Sequence, residues 1–358
     1  MRRRTTLTVS FFLFASLLAI AQQQERVDLN VIHKIKTAEL GEGGGFGGGG
    51  RGGGAAGSKV MDTMYQLTDH YGPRLTNSPQ FRRAGDWAVG QLKEWGMSNV
   101  HLEKWATGTG GGRGGPIPSW EITGYSGAMV EPTYMPIIGV PVAWTGSTNG
   151  SVTGEAVLAQ IQTQADMDKF HGKLKGKIVL NSANAAGTVG PLDLPFPTAP
   201  LARRYTDTEL TDLVPELLPT GGGRGGRGGG RGGRGGANAN MTPEELQAFQ
   251  TKLRSFVKDE GVLLTLQATA RGESGTLFGG GAQNRMDTTN LPQVSITAEH
   301  YNRIARLLEH NVPVKLTFDI KTQFDTSNTD SFNVVAEIPG TTKPNELVMV
   351  GGHFDSWH

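Results

Sequence analysis

Residues 346–358 read Glu-Leu-Val-Met-Val-Gly-Gly-His-Phe-Asp-Ser-Trp-His, and the first half of that run points to a strand inside an α/β sheet. Leu347, Val348, Met349 and Val350 form a short, wholly apolar stretch, the pattern of a strand buried on both faces. Gly351 and Gly352 end it where backbones must approach closely. His353 and Asp355 follow two positions apart. In extended chain, residues i and i+2 point to the same side, so an imidazole and a carboxylate both project from the carboxyl end of the strand. Ligands of open α/β sheets gather at that end. An imidazole that binds metal through one nitrogen usually gives its other N–H to a carboxylate, and Asp355 is spaced for that task. A His-x-Asp pair alone is common, so the rest of the chain has to carry the argument.

Working outward, residues 334–338 (Val-Val-Ala-Glu-Ile) precede a Pro339-Gly340 turn and read as a neighbouring strand of the same central sheet. Near the other end, Val60, Met64 and Leu67 recur at helical spacing up to Tyr71-Gly72-Pro73. A second helix is predicted from Ser78 as N-cap and Pro79 at the first helical position. Its apolar face is Phe81, Ala84, Ala88, Leu92 and Trp95, and it stops at Gly96. Residues 99–103 then read as a strand.

Between about 127 and 320 the chain changes to short strands and turns, with strands expected at 156–161, 176–180, 262–266 and 294–296. Two helices interrupt them. Thr242-Pro243-Glu244-Glu245 is a capping box opening a helix whose stripe is Leu246, Phe249, Leu253 and Phe256. Thr297 is expected to cap another that carries Tyr301, Ile304 and Leu308.

Glycine-rich tracts at 41–57, 108–115 and 221–236 cannot bury enough apolar surface to offset ordering entropy, and read as linkers or surface loops. The longest repeats Arg-Gly-Gly, a composition also found in nucleic-acid-binding tails. No aromatic is interleaved with its arginines, so no nucleic-acid partner is assigned. Residues 1–21 have the form of a secretory signal: Arg2-Arg3-Arg4, an apolar run over 11–18, then Ala19-Ile20-Ala21. No other stretch approaches the ~20 apolar residues of a membrane-spanning helix. Loss of the three arginines takes the formal net charge from +1 to −2, which favours neither a basic nor an acidic partner. The chain has no cysteine. That excludes disulfides, a thiolate nucleophile and Cys-ligated zinc. No Gly-x-Ser-x-Gly elbow is present, and the glycine matches to a dinucleotide fingerprint lie in the tracts rather than between a strand and a helix. His70, His101, His171, His300 and His310 lack metal-ligand spacing and read as surface or satisfied histidines. Trp357 reads as a packing residue beside the pair, and His358 is not assigned as a ligand.

The phrases NVVAEIPG (333–340) and ELVMVGGHFDSW (346–357), at this spacing, resemble the two-zinc exopeptidases of the carboxypeptidase Q and aminopeptidase Y kind. LTDHYGPRLTNSPQFRRAGDWAVGQLKEWGM (67–97) is similar to the helical approach to that family's catalytic domain. GKLKGKIVL (172–180) and PQVSITAEHYNRIARLL (292–308) are similar to a protease-associated domain.

The resemblance implies an α/β fold, a mixed-sheet sandwich of the zinc-exopeptidase kind, interrupted by a β-rich α+β protease-associated domain. The implied order is a signal peptide (1–21), a glycine-rich linker (22–58), the first part of the catalytic domain (59–126), the inserted domain (127–320), and the first sheet strands with the His-x-Asp motif (321–358). It implies that His353 binds one of two zinc ions and that Asp355 orients it. It also implies short peptides as substrates and a homodimer, while the signal segment and the absence of cysteine point to a periplasmic or extracellular location. The family's bridging aspartate, Glu-Glu pair, further carboxylate and final histidine find no counterpart here. The expectation is therefore the N-terminal part of an exported exopeptidase, an aminopeptidase or dipeptidase, inactive as residues 1–358 alone. The alternative expectation is a non-catalytic binding protein built on the protease-associated region.

Overall fold

A computed structural model describes residues 28–40, 59–106, 116–182, 188–192, 241–269, 277–282 and 284–357. The expected signal segment, the three glycine tracts and His358 lie outside the described residues. The chain divides into two compact units, Met1–His70 and Tyr71–His358. The first contains helices α1 (Leu29–Leu40) and α2 (Val60–Tyr65), the latter running into a π-helical turn at Gln66–His70. The helical spacing at 60–67 is therefore real, with the last turn widened.

The second unit opens with α3 (Pro79–Glu94), begun as its sequence requires: Ser78 is extended and its hydroxyl accepts from the Phe81 N–H. Phe81, Ala84, Gly85 and Ala88 are the buried face. Trp95, expected on that face, is instead 51% exposed. It is the C-cap residue, followed by Gly96 at φ +79°, so the helical periodicity ends before reaching it. The face packs on a two-stranded antiparallel ribbon of β1 (Ser98–Ala106) and β10 (Asp330–Glu337). The approach is close enough that a Cβ on Gly85 would sit 2.5 Å from the Phe332 ring.

Here the structure corrects the reading of the last strands. The partner of β10 is β1, with Leu102 opposite Val334, and not residues 347–350. That segment is no strand: Leu347, Val348, Met349 and Val350 are 82%, 89%, 83% and 91% exposed. An apolar run supplies the side chains for a buried strand but not the flanking N–H and C=O groups, and among the described residues no strand pairs with it.

The remaining strands form one mixed sheet in the order β3-β2-β9-β5-β6-β7-β8-β4. In chain order they are β2 (Ser119–Glu131), β3 (Met135–Pro136), β4 (Gly139–Pro141), β5 (Val152–Leu158), β6 (Ile178–Leu180), β7 (Leu264–Thr269), β8 (Gln293–Thr297) and β9 (Lys315–Asp325). β5, β6, β7 and β8 run parallel, and the other pairings are antiparallel. Parallel neighbours need long crossovers. Helix α4 (Gln164–Phe170) lies in the first and α5 (Pro243–Asp259) in the second. Helix α6 (Ala298–Glu309) follows β8 and sets Tyr301, Ile304 and Ala305 into a core with Leu180, Leu264, Leu266, Ile296 and Phe318.

The capping box at Thr242 forms in both directions: its hydroxyl accepts from Glu245 N at 3.2 Å, and its own N–H donates to Glu245 Oε2 at 2.8 Å. Thr297 occupies the N-cap position of α6, but its hydroxyl caps nothing. Positions 127 and 320 fall inside β2 and β9, which pair from Ser119 opposite Asp325 to Glu131 opposite Lys315.

Candidate functional site

Past the exposed run the chain returns to the body of the second unit at 354–356. Ser356 N donates to the Arg74 carbonyl at 2.8 Å, and Arg74 N donates to Ser356 Oγ at 2.9 Å. Arg74 Nε donates to the Phe354 carbonyl at 2.9 Å, with the guanidinium 5.8 Å from the Phe354 ring centroid. That ring meets Phe81 at 5.6 Å and Phe332 at 6.5 Å, joining the segment to α3 and β10.

The strip it docks on is itself fixed. Leu75 is buried and its carbonyl accepts from Ser78 N. Asn77 adopts φ 66°, a left-handed conformation Asn tolerates better than most residues, and is fully buried. Its amide donates to the carbonyls of Ile117 at 2.8 Å and Thr329 at 3.1 Å.

On this strip stand the two residues singled out by the motif. His353 Nδ1 lies 2.9 Å from Asp355 Oδ1, while the imidazole side chain is 94% exposed. The other carboxylate oxygen of Asp355 accepts from Thr76 Oγ1 at 2.5 Å. Partial burial of Asp355 works to raise its pKa, but the hydrogen bonds from Thr76 and His353 outweigh it and hold the carboxyl below its ordinary value of 3.8. Asp355 is thus an anion aimed at one nitrogen of His353, and it fixes the ring with Nε2 left to an incoming group.

This pair offers one metal-binding nitrogen. Among the described residues no group of three or more His, Asp or Glu could hold a metal ion. Three other histidines face different partners. His101 Nδ1 is 2.7 Å from its neighbour Asn99's carbonyl, His171 Nδ1 is 2.7 Å from Glu260, and His300 Nδ1 accepts from Ile138 N. Trp357 sits beside the pair, half exposed and edge-on to the buried Trp144 at 6.4 Å.

Sequence reasoning singled out His353 and Asp355 and missed Thr76 and Arg74. Their stretch, Tyr-Gly-Pro-Arg-Leu-Thr, reads in the sequence only as an approach to a helix. Nothing local marks a threonine that reaches a carboxylate 279 positions away.

No protein-family model matches the chain. Carboxypeptidase Q of Mus musculus is 24% identical over 298 residues, covering 81% of this chain and 48% of that protein. Carboxypeptidase Q of Homo sapiens is 23% identical over 305 residues, covering 84% and 50%. The chain spans about half the length of the curated relatives it matches. Among solved structures, a peptidase M28 precursor from Shewanella amazonensis aligns with a TM-score of 0.47 at 19% identity, covering 83% of this chain and 54% of that one. A zinc aminopeptidase from Bacillus subtilis aligns with a TM-score of 0.40 at 12% identity, covering 78% and 47%.

Proposed function

We propose, from the similarity to carboxypeptidase Q relatives, that this chain belongs to an exported peptidase of the two-zinc exopeptidase kind acting on short peptides, and that His353 is one of its zinc ligands. The observation that carries the reading is the hydrogen-bond chain from Thr76 through Asp355 to His353, with the far side of the imidazole open. Bound zinc would supply a water acidic enough to attack a peptide carbonyl near neutral pH. The chain's own residues do the orienting. Asp355 selects the tautomer and raises the basicity of His353, Thr76 keeps the Asp355 carboxylate from turning away, and the Arg74–Ser356 bridge holds the segment in register.

In this reading residues 127–320 are the protease-associated domain inserted between α3/β1 and β10, and the mixed sheet that carries it runs from Ser119 to Asp325. The second zinc ion and the homodimer implied by the resemblance belong to the same proposal, as does export directed by residues 1–21. One imidazole with its carboxylate falls short of the three protein ligands of a hydrolytic zinc site. Residues 1–358 alone are therefore expected to hydrolyse no peptide.

A zinc titration followed by histidine side-chain NMR tests the ligand. His353 should respond before His70, His101 and His310, and Asp355→Ala should remove that preference. An equal response of all histidines would overturn the assignment. Zinc-dependent dipeptide hydrolysis by residues 1–358, lost in His353→Ala, would overturn the expected inactivity.

A further inference from the structure

Beside the His353–Asp355 strip the chain builds a rigid cationic ledge. Trp144 is 2% exposed and adopts φ 60°, a left-handed conformation that strains a bulky residue. Its surroundings hold it there. The indole Nε1 donates to the Pro118 carbonyl at 3.1 Å, and its carbonyl accepts from Asn290 Nδ2 at 3.0 Å. Gly281 lies flat against it: a Cβ there would stand 2.5 Å from the Trp144 ring and 3.5 Å from the Trp357 ring.

Over the Trp144 face sits Arg285, its guanidinium carbon 4.7 Å from the ring centroid. Arg285 is half buried, and burial alone lowers its pKa from the ordinary arginine value. Among the described residues no carboxylate pairs with it. Asp287, two positions on, turns its carboxylate to the N–H and hydroxyl of Thr289.

Drawing a cation partly out of water is unfavourable unless an opposite charge meets it. A guanidinium stacked by its face keeps its N–H edge free, in the planar fork that matches a carboxylate. The ledge runs from Arg285 through Trp144 and Gly281 to Trp357, two residues past Asp355, so Arg285 and the candidate site are joined by one run of side-chain contacts.

We infer that Arg285, stacked on Trp144, is a specificity-determining residue that receives the free carboxylate of a short peptide lying across the His353–Asp355 strip. The inference rests on the exopeptidase reading for what the carboxylate belongs to, but its test needs no zinc. Glycyl-leucine and glycyl-leucinamide are titrated into the 358-residue chain with a chelator present, following tryptophan fluorescence and calorimetry.

The free acid should bind about tenfold more tightly than the amide, the size of one charge-assisted hydrogen-bonded pair. Arg285→Met should abolish the discrimination by weakening the acid alone, and Arg285→Lys should restore part of it, with near-UV circular dichroism unchanged in both. Equal binding of acid and amide by the unaltered chain, no binding of either, or discrimination that survives Arg285→Met would each overturn the inference. Failure of the exopeptidase reading appears separately, in the zinc response of His353.

Discussion

Ile178-Val179-Leu180 and Leu347-Val348-Met349-Val350 are the same kind of sequence, a short apolar run bounded by glycine or polar residues. They meet opposite fates. The first is β6, with every side chain at most 2% exposed, hydrogen-bonded in parallel to β5 on one side and β7 on the other. The second is at least 82% exposed along its whole length, and no described strand accompanies it. The difference lies outside both runs. Crossovers carrying α4 and α5 bring β6 its neighbours, while the second run is followed at once by two glycines and the docking of 354–356 on Arg74. An apolar run states a demand for strand neighbours, and it becomes a strand only where the topology delivers them.

The largest test of that contrast is truncation in each run. Leu180→Ala removes packed methyl groups from the centre of the core and should cost about 2–5 kcal/mol in denaturant unfolding. Val348→Ala should stay within about 0.5 kcal/mol, as exposed substitutions do. Amide exchange should separate them further, with residues 178–180 protected and 347–350 exchanging freely. A comparable loss from Val348→Ala would break the comparison, because it would mean the second run is buried in solution.

The next test concerns where exposure stops. Phe354 is half buried against Phe81 and Phe332, so Phe354→Ala should cost about 1–2 kcal/mol, below the range for a fully buried phenylalanine. Thr76→Val, which removes the hydroxyl but keeps the shape, should cost about 1 kcal/mol, the usual net value of one hydrogen bond. Its sharper readout is the imidazole. With Asp355 released from Thr76, nitrogen NMR should show His353 losing its single preferred tautomer, and Thr76→Ser should restore it. An unchanged tautomer in Thr76→Val would mean that Asp355 orients His353 without help.

Much of this was legible in the sequence because the signals were local. Ser78-Pro79 and the Thr242–Glu245 box open helices where expected, and β6 is a strand within the expected 176–180. His353 and Asp355 come together because two-residue spacing in extended chain is itself a geometric statement. What stayed hidden depends on distant pairing. Examples are β10 choosing β1, the 347–350 run finding no partner among the described residues, Thr297 standing at a helix start with its hydroxyl not capping it, and Thr76 reaching Asp355. None of these leaves a periodic trace, since each is decided by which segments the topology brings side by side.

The smallest expected effect bears on how β6 keeps its neighbours at low pH. Glu260, just past α5, reaches back to the turn before β6: Gly172 N donates to Oε2 at 2.7 Å, and His171 Nδ1 lies 2.7 Å from Oε1. The backbone donor first, and His171 after it, lower the Glu260 pKa from its ordinary 4.5 even though burial opposes them. A carboxyl whose folded pKa is depressed binds protons more readily in the unfolded chain. Its stabilising contribution is therefore complete above the unfolded value and is lost as pH falls through the folded one. Glu260→Gln keeps the shape and one acceptor but cannot titrate, so its melting temperature should fall less steeply than that of the unaltered chain as pH drops below about 4.5. Parallel slopes would show that this carboxylate does not couple α5 to the β6 turn, and the acid sensitivity of the sheet would then have to come from carboxylates elsewhere.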